Sequence, residues 1–340
     1  MVIDKTKRNL ALIRLGRNLI KSKPFYFCSV ETIQGISQFN SSANTAITIG
    51  TFDGVHIGHK QILKRLINNA KKTGSKSTVL TFFPHPRMVL QKDTEIKLLN
   101  TLSEKQRILG EMGLDYLIVH PFTQEFSRLS ALEFVRDVLV NKLKVKSVVI
   151  GYDHRFGRNR NASIQDLAGF GNTFDFKVEE IPAQEIDEVS VSSTKIRKAL
   201  FNGDIQTANA YLGYEYMLCG QVVKGQGLGK DLGFPTANIG IEESYKLVPQ
   251  NGVYIVNCEF DGQSAAGMMN IGVKPTIDGS SKSIEVNLFD IDQNLYQKDI
   301  RVRLLKKIRD EQKFDSLHAL SQQLYLDKKI ALDFLKNEYH

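Results

Sequence analysis

The chain holds no tryptophan, three cysteines and eight prolines among 340 residues. No stretch approaches the run of about 18 apolar residues that a membrane-crossing helix requires, so neither a span nor a membrane partner is expected. Cys28, Cys219 and Cys258 are widely spaced and form no C-x-x-C pair. That spacing excludes a thiol-redox or zinc motif, and the odd count argues against a disulfide framework. A reducing, cytoplasmic setting is expected. Internal repeats and low-complexity tracts are also missing.

What is present fits a folded protein of more than one core. A single hydrophobic core rarely extends over 340 residues, so two domains are expected. The hydrophobic share of 42% and the charged share of 24% are those of a globular chain. A net charge of +8 attracts polyanions in general. Lys and Arg are scattered, without a basic stripe interleaved with aromatics, so nucleic acid is not an expected partner. The exception is Met1 to Lys23, where Asp4 is the only acid and Leu10, Leu12, Ile13 and Ile20 form a loosely amphipathic pattern. This segment lacks the apolar run and cleavage site of a secretory signal and is expected to be a frayed or helical extension with no catalytic part.

From Ala46 onward, short β-branched runs alternate with helical patterns, which predicts a doubly wound parallel sheet covered by helices. The expected strands are Ile47–Ile49, Thr78–Phe82, Tyr116–Val119, Ser147–Ile150 and Phe174–Ile181. Ile62, Leu63, Leu66, Ile67 and Ala70 share one helical face between the first two. After Gly203 the rhythm changes. Gln221–Val223, Thr236–Ile239, Gly252–Phe260, Ala265–Ile271, Ser283–Asp290 and Ile300–Lys307 read as strands without intervening helices, which predicts a closed antiparallel barrel. Leu317, Leu320 and Leu324, then Ile330, Leu332 and Leu335, predict helices packed on it. The seam is expected near Val191 to Tyr214.

Directly after the first strand comes Gly50-Thr51-Phe52-Asp53-Gly54-Val55-His56-Ile57-Gly58-His59, leading into a helix that starts near Ile57. A glycine-bearing turn at the carboxyl end of a strand lets a phosphate approach the backbone, and the helix start adds unpaired N–H groups and a favourable dipole. His56 and His59, three apart, point to one side and can donate hydrogen bonds to a triphosphate. The spacing is not that of a zinc site. Taken singly, either imidazole reads as a helix cap and a packed ring; two of them framing a glycine at this strand-helix junction point instead to the anion site. Three further segments accompany them: Thr81 to Arg87 closing the second strand, Gly151 to Gly157 leaving the fourth, and Ser192-Ser193-Thr194-Lys195-Ile196-Arg197 opening a helix.

These segments closely resemble the nucleotidyltransferase half of the bifunctional bacterial riboflavin kinase and FAD synthetase family, part of the HxGH adenylyltransferase superfamily, from about Ile47 through Leu212. The resemblance implies a Rossmann-like domain in which the phosphate of FMN attacks the α-phosphorus of ATP and pyrophosphate leaves, with no covalent enzyme intermediate. It implies ATP contacts at Thr51, Phe52, Asp53, Gly54, His56, Gly58, His59, Ser193, Thr194 and Arg197, with His56 and His59 catalytic. Flavin contacts are implied at His85, Pro86, Asp153 and Phe156. Asn161 stands where glycine is usual, and Ile57 where a basic residue is common.

In the second half, Gly225-Gln226-Gly227-Leu228-Gly229-Lys230 precedes Gly233-Phe234-Pro235-Thr236-Ala237-Asn238. This is not a P-loop, because Lys224 takes the place of its first glycine and Asp231 that of its Ser/Thr. A glycine arch can still fold over phosphates, and Thr236 and Asn238, two apart on a strand, present two oxygens to Mg²⁺ on one face. The glycines alone read as a hairpin before a polar strand. The Phe-Pro-Thr-Ala-Asn string resembles the riboflavin kinase motif of the same family, and the likeness continues through Asn251 to Tyr254, Asn270 to Gly272, Pro275, Thr276, Glu285 and Arg309 to Phe314.

That resemblance implies phosphorylation of riboflavin by ATP and Mg²⁺, with ATP at Gly225, Gly227, Lys230, Gly233, Phe234, Thr236 and Asn238. It implies the flavin at Glu285, Arg309 and Phe314, and Glu285 as the base that takes the proton of the ribityl hydroxyl. Lys230 and Lys274 stand where arginines are usual, Asn287 where histidine is frequent, and Gln297 where glycine is.

The organisation expected is a basic extension over 1–26, an FMN adenylyltransferase domain over 27–190, a linking helical segment over 191–213 and a riboflavin kinase domain over 214–340. In fold terms this is an α/β Rossmann-like domain followed by a six-stranded antiparallel β-barrel with C-terminal helices. Riboflavin, FMN and ATP are the expected partners, with no more than weak self-association into a homo-oligomer. Two rivals stay open on the sequence: an enzyme with one silent half, and a flavin- or RNA-binding module that keeps the fold for recognition. Turnover of riboflavin with ATP separates them.

Overall fold

Thr45–Ile49 is buried along its whole length, as a strand covered on both faces must be. The computed structural model describes residues 12–15, 18–21, 30–91, 96–182, 191–225, 229, 232–276 and 279–338. The chain divides into two units, Phe27–Ser193 and a second formed by Met1–Tyr26 with Thr194–His340. Strands β1 (Leu12–Leu15) and β2 (Asn18–Lys21) precede the first unit. That unit holds β3 (Glu31–Gln34), β4 (Thr45–Ile49), β5 (Lys76–Phe82), β6 (Tyr116–His120), β7 (Val145–Gly151) and β8 (Lys177–Ile181).

These six strands pair in parallel in the order β3-β6-β5-β4-β7-β8. The order reverses at β4, which has β5 on one side and β7 on the other. Ligands of open α/β sheets bind outside the carboxyl ends of the strands at such a reversal, so the Gly50–His56 loop occupies the expected place. Helix α1 (Ile57–Thr73) follows, buries Leu63, Leu66, Ile67 and Ala70, and ends at Gly74, whose φ of 64° places it in the left-handed region. Truncating Leu63 or Leu66, both fully buried, to alanine would cost about 2–5 kcal/mol. Helices α2 (Pro86–Leu90), α3 (Leu102–Glu111) and α4 (Ile164–Phe174) add to the cover, with short helical turns at Gln124–Ser127 and Ala131–Glu133 and a wide π-helical stretch over Phe134–Lys142.

Three expectations are corrected here, two in this unit and one in the opening segment. Edge strand β3 was not anticipated, because its four residues alternate weakly and it is half-exposed. The strand expected from Phe174 begins at Lys177, since α4 runs to Phe174 and Asp175 caps it with a φ of 57°. The opening segment is not helical where it is described: β1 and β2 form an antiparallel hairpin, and Ile13 pairs with Ser264 of the second unit's sheet.

Helices α5 (Ser193–Phe201) and α6 (Ile205–Leu212) lead to β9 (Met217–Val223), β10 (Ala237–Gly240), β11 (Gly252–Phe260), β12 (Gln263–Thr276), β13 (Gly279–Leu288) and β14 (Asp299–Arg309). All pair antiparallel in the order β11-β14-β9-β10-β13-β12, and β11 pairs again with β12, which closes the six-stranded barrel. One helix, α7 (Leu317–Glu338), follows instead of several. The charged stretch Asp327-Lys328-Lys329 between its two apolar runs contains no Gly or Pro to end it. Ala331 and Leu335 pack with Val253, Ile255, Met268 and Leu305.

Candidate functional site

The loop of the first unit has an unusual backbone. Phe52, Gly54 and Val55 take φ of 44°, 86° and 38°, and Val55, being β-branched, does so only where the surroundings enforce it. Successive N–H groups in such a turn form an anion-binding concavity. Asp53 is buried and enforces the shape: its Oδ1 accepts from Leu99 N at 2.9 Å, and its carbonyl accepts from Ser193 Oγ at 2.9 Å. The second contact ties Ser193, the last residue of this unit and expected from the sequence to serve ATP, to the same loop.

His56 caps α1, its Nδ1 accepting from His59 N at 3.4 Å. Burial pushes His56 down from its ordinary 6.5 to about 4, so it is neutral at pH 7. A neutral ring that accepts at Nδ1 carries its proton on Nε2, where it is a donor. His59 stacks on His56 with ring centroids 3.7 Å apart, and Phe52 meets it edge-on at 5.1 Å. Burial, then His56 and Lys105, hold His59 well below its ordinary value. Its Nδ1 is shielded from solvent and has no hydrogen-bond partner among the described residues.

Lys105 lies on α3 with its Nζ 2.7 Å from the carbonyl of Thr51. No motif marks it, because it follows the loop by some fifty positions and is brought in only by the docking of α3. Gly58 is buried in the first turn of α1, Thr194 is exposed and Arg197 half-buried on α5. Among the residues expected to meet flavin, His85 caps α2 through Nδ1, accepting from Arg87 N at 3.2 Å, and Pro86 is the first helical residue. Asp153 is exposed, whereas Phe156 sits in the core against Phe134 at 6.0 Å. His154 beside it has a shielded Nε2 without a partner among the described residues.

In the barrel, Asn238 of β10 lies opposite Glu285 of β13, and Glu285 also lies opposite Asn270 of β12. Directly paired residues project to one face. Thr236, two positions before Asn238, donates from Oγ1 to Glu285 Oε2 at 3.4 Å. Gly225 lies close enough that a Cβ there would overlap the Asn238 amide, and a Cβ on Gly229 would overlap the Phe234 carbonyl. Gly233 has a φ of 79°, and Phe234 is buried with its ring 5.0 Å from Tyr325. Gly227 and Lys230 lie outside the described residues, as does the side chain of Lys274. The donors that converge, a hydroxyl, an amide oxygen and a carboxylate, are hard oxygens of the kind Mg²⁺ takes. No cluster of three His, Cys, Asp or Glu side chains able to hold a metal occurs among the described residues, so such an ion would rely on these oxygens together with substrate phosphates.

Arg309 is held by fully buried Asp327 of α7, with Nε 3.0 Å from Oδ1 and Nη2 2.8 Å from Oδ2, and its Nη1 donates to the Asp310 carbonyl at 3.0 Å. Its guanidinium lies over the ring of Phe314, 5.7 Å from the centroid. Of the departures noted in the sequence, Gln297 has a φ of 64°, which accounts for glycine being usual there. Asn161 has a φ of −76° and needs no glycine. Asn287 donates from Nδ2 to the Pro235 carbonyl at 2.8 Å, bracing the Phe-Pro-Thr turn.

A family model described as FAD synthetase matches residues 38–195, and one described as riboflavin kinase matches residues 212–335. Bifunctional riboflavin kinase/FMN adenylyltransferases from Buchnera aphidicola (subsp. Schizaphis graminum) and Bacillus subtilis are each 37% identical, over 89% and 87% of this chain and 97% and 94% of their own. The Escherichia coli counterpart is 35% identical over 90% of this chain and 98% of its own. A crystal structure described as a macrolide-efflux protein from Streptococcus pneumoniae shares the architecture with a TM-score of 0.81 and 30% identity, covering 89% of this chain and 99% of that one. None of the described helices here is long and apolar enough to cross a membrane. With the HxGH loop at the sheet reversal and the Thr-Ala-Asn strand beside Glu285, the chain belongs to the bifunctional riboflavin kinase/FMN adenylyltransferase family.

Proposed function

We propose that the two activities of this family, phosphorylation of riboflavin to FMN and adenylylation of FMN to FAD, are carried in this chain by two centres with separate ATP molecules. The adenylyltransferase occupies 27–190, a helical link 191–213 and the kinase 214–340. In the first centre the N–H groups of the Thr51–Val55 turn and the mouth of α1 receive the phosphates of ATP. His56 and His59 act as neutral donors to the oxygens on which charge grows as pyrophosphate departs. The step needs alignment and charge stabilisation, with no protein nucleophile. Ser193 serves the same nucleotide, and His85, Pro86 and Asp153 line the approach of FMN, whereas Phe156 is packed in the core behind them.

In the second centre Glu285 accepts the proton of the ribityl hydroxyl as that oxygen attacks the γ-phosphorus of ATP. Thr236 and Asn238 hold Mg²⁺, which when bound neutralises phosphate charge. The glycines at 225, 227 and 233 let the chain close over the phosphates, with Lys230 and Phe234. Arg309, already held by Asp327, acts on the flavin through Phe314.

The observation that carries this reading is the His56–His59 pair: two neutral, stacked imidazoles at a helix mouth on the sheet's reversal, one with a shielded nitrogen lacking a partner among the described residues, are suited to an incoming polyphosphate. A time course of riboflavin with ATP and Mg²⁺, resolved by chromatography, tests it. FMN should rise first and FAD follow with release of pyrophosphate, and chelation of Mg²⁺ should stop phosphorylation. Saturable binding of riboflavin with no product would defeat the reading. The substrates and the sparse cysteine suit the cytoplasm.

A further inference from the structure

A lysine with almost no solvent exposure is costly unless something uses its charge. Lys105 is 5% exposed. Its ammonium donates to the neutral carbonyl of Thr51 at 2.7 Å. Asp53 on the loop contributes favourable field from further away, but burial dominates and the ammonium is held below its ordinary range. The helix that carries it is docked on the loop from two sides. Thr101 and Glu104 form a capping box at the start of α3, and the neighbouring Leu99 N donates to Asp53.

We propose that Lys105 is a positioning residue of the nucleotidyl-transfer site, clamping the Thr51 carbonyl so that the left-handed turn over Phe52 to Val55 meets the phosphates of ATP already formed. The reading rests on the adenylyl-transfer role given to that loop. Thr51 is the last residue before the turn, and its peptide orientation sets the direction of the N–H groups that follow. The remaining N–H donors of the ammonium add a fixed positive charge next to His59, so polyphosphate enters a site whose cation is in place. The charged and titratable groups facing His59 are His56 from the start of its own helix and Lys105 from α3. A cation there opposes protonation of the imidazole.

The experiment uses the full chain with Lys105→Met, which removes both donor and charge, and Lys105→Gln, which keeps a donor for Thr51 and removes the charge. Far-UV circular dichroism and the urea midpoint of each variant serve as the folding control for the first unit, and phosphorylation of riboflavin in the same preparation serves as that for the second. For Lys105→Met, kcat/KM for FAD formation from supplied FMN and ATP should fall about 100-fold, the scale of a displaced loop, with riboflavin phosphorylation within about twofold of the parent. Lys105→Gln should recover about tenfold of that loss. In both variants the acid-side change in the FAD-formation profile should move to somewhat higher pH, since one charge opposing His59 protonation is gone while burial, the larger cause, remains. FAD formation at the parental kcat/KM in Lys105→Met would overturn the proposal. So would parallel loss of both activities in the two variants, or an unmoved acid side, because either reduces Lys105 to packing. If FMN adenylylation is undetectable in the parent chain itself, the adenylyl-transfer reading fails, which distinguishes its failure from that of the Lys105 proposal.

Discussion

The two centres are assembled in opposite ways. The first is made of neighbours in sequence: a strand end, a turn and a helix start between Gly50 and His59 supply most of its groups, and the fold contributes the reversal of strand order that exposes them. The second is made by register. Thr236 meets Glu285 across 49 positions of chain, and only because β10 and β13 pair as they do. A local site is vulnerable to single changes in backbone conformation. A site made by register tolerates those better, but a one-residue slip would turn Glu285 to the opposite face from Asn238.

The largest expected effects come from crossing the two centres. Glu285→Gln keeps the shape of the side chain but removes the base, so FMN formation should fall by about 10²–10⁴, while adenylylation of supplied FMN stays near the parental rate. His59→Ala should reverse the pattern, with FAD formation down by about 10²–10³ and riboflavin phosphorylation preserved. Parallel time courses with riboflavin or FMN as substrate read both at once. Equal loss of both activities in either variant would end the division of labour, and with it the contrast between local and register-built sites.

That contrast also explains what could be read in advance. The Gly50–His59 string is legible because all its chemistry lies within ten residues and the alternation of strands and helices supplies its setting. The six barrel strands were legible as strands, since their β-branched runs are separated by glycine-rich connections. Their closure was expected from six short strands without intervening helices, but the β11–β12 pairing that achieves it is a property of register and left no mark in any one segment. Lys105 and Asp327 were invisible for the same reason: each looks like a solvated residue of a helix, and only long-range packing buries it. Strand β3 and the β1–β2 hairpin were missed because short, half-polar edge strands give almost no periodic signal. The single α7 was misread as several helices because its apolar face changes phase around Asp327.

An acid titration probes the first centre with a smaller effect. His56 has its folded pKa lowered from 6.5 to about 4 by burial. The unfolded chain takes up the proton first, so the stability due to neutral His56 is complete above pH 6.5 and is lost as pH falls through that value toward 4. At pH 5 the loss should be about 2 kcal/mol, at about 1.4 kcal/mol per pH unit. His56→Asn keeps an acceptor for the helix cap and does not titrate. Urea unfolding followed by circular dichroism at pH 7 and pH 5 should show a larger drop in the parent than in the variant. Identical drops would mean that His56 is more accessible than its place at the mouth of α1 indicates.

Gly225→Ala is the matching probe of the barrel. Its Cβ would overlap the amide of Asn238, displacing an oxygen assigned to Mg²⁺ without touching any strand pairing. A tenfold to hundredfold fall in kcat/KM for phosphorylation is expected, partly relieved by raising Mg²⁺, and adenylylation should not change. Loss that added Mg²⁺ leaves untouched would point to the glycine arch itself and away from Asn238.

Gln297 offers the smallest effect and the cleanest separation of stability from chemistry. Its side chain is exposed and its N–H donates to the Val222 carbonyl at 2.8 Å, so the backbone is fixed at its φ of 64° whatever side chain it bears. A non-glycine residue there carries a penalty of about 1–2 kcal/mol, whereas glycine loses more chain entropy on folding, by about 0.5–1 kcal/mol. The two terms oppose each other, so Gln297→Gly should raise the stability of the barrel by no more than about 1.5 kcal/mol and leave both activities unchanged. Gln297→Ala should give no gain, because alanine keeps the penalty. A shift of the urea midpoint in Gln297→Ala as large as in Gln297→Gly would show that the side chain, and not the backbone angle, sets the cost at this turn.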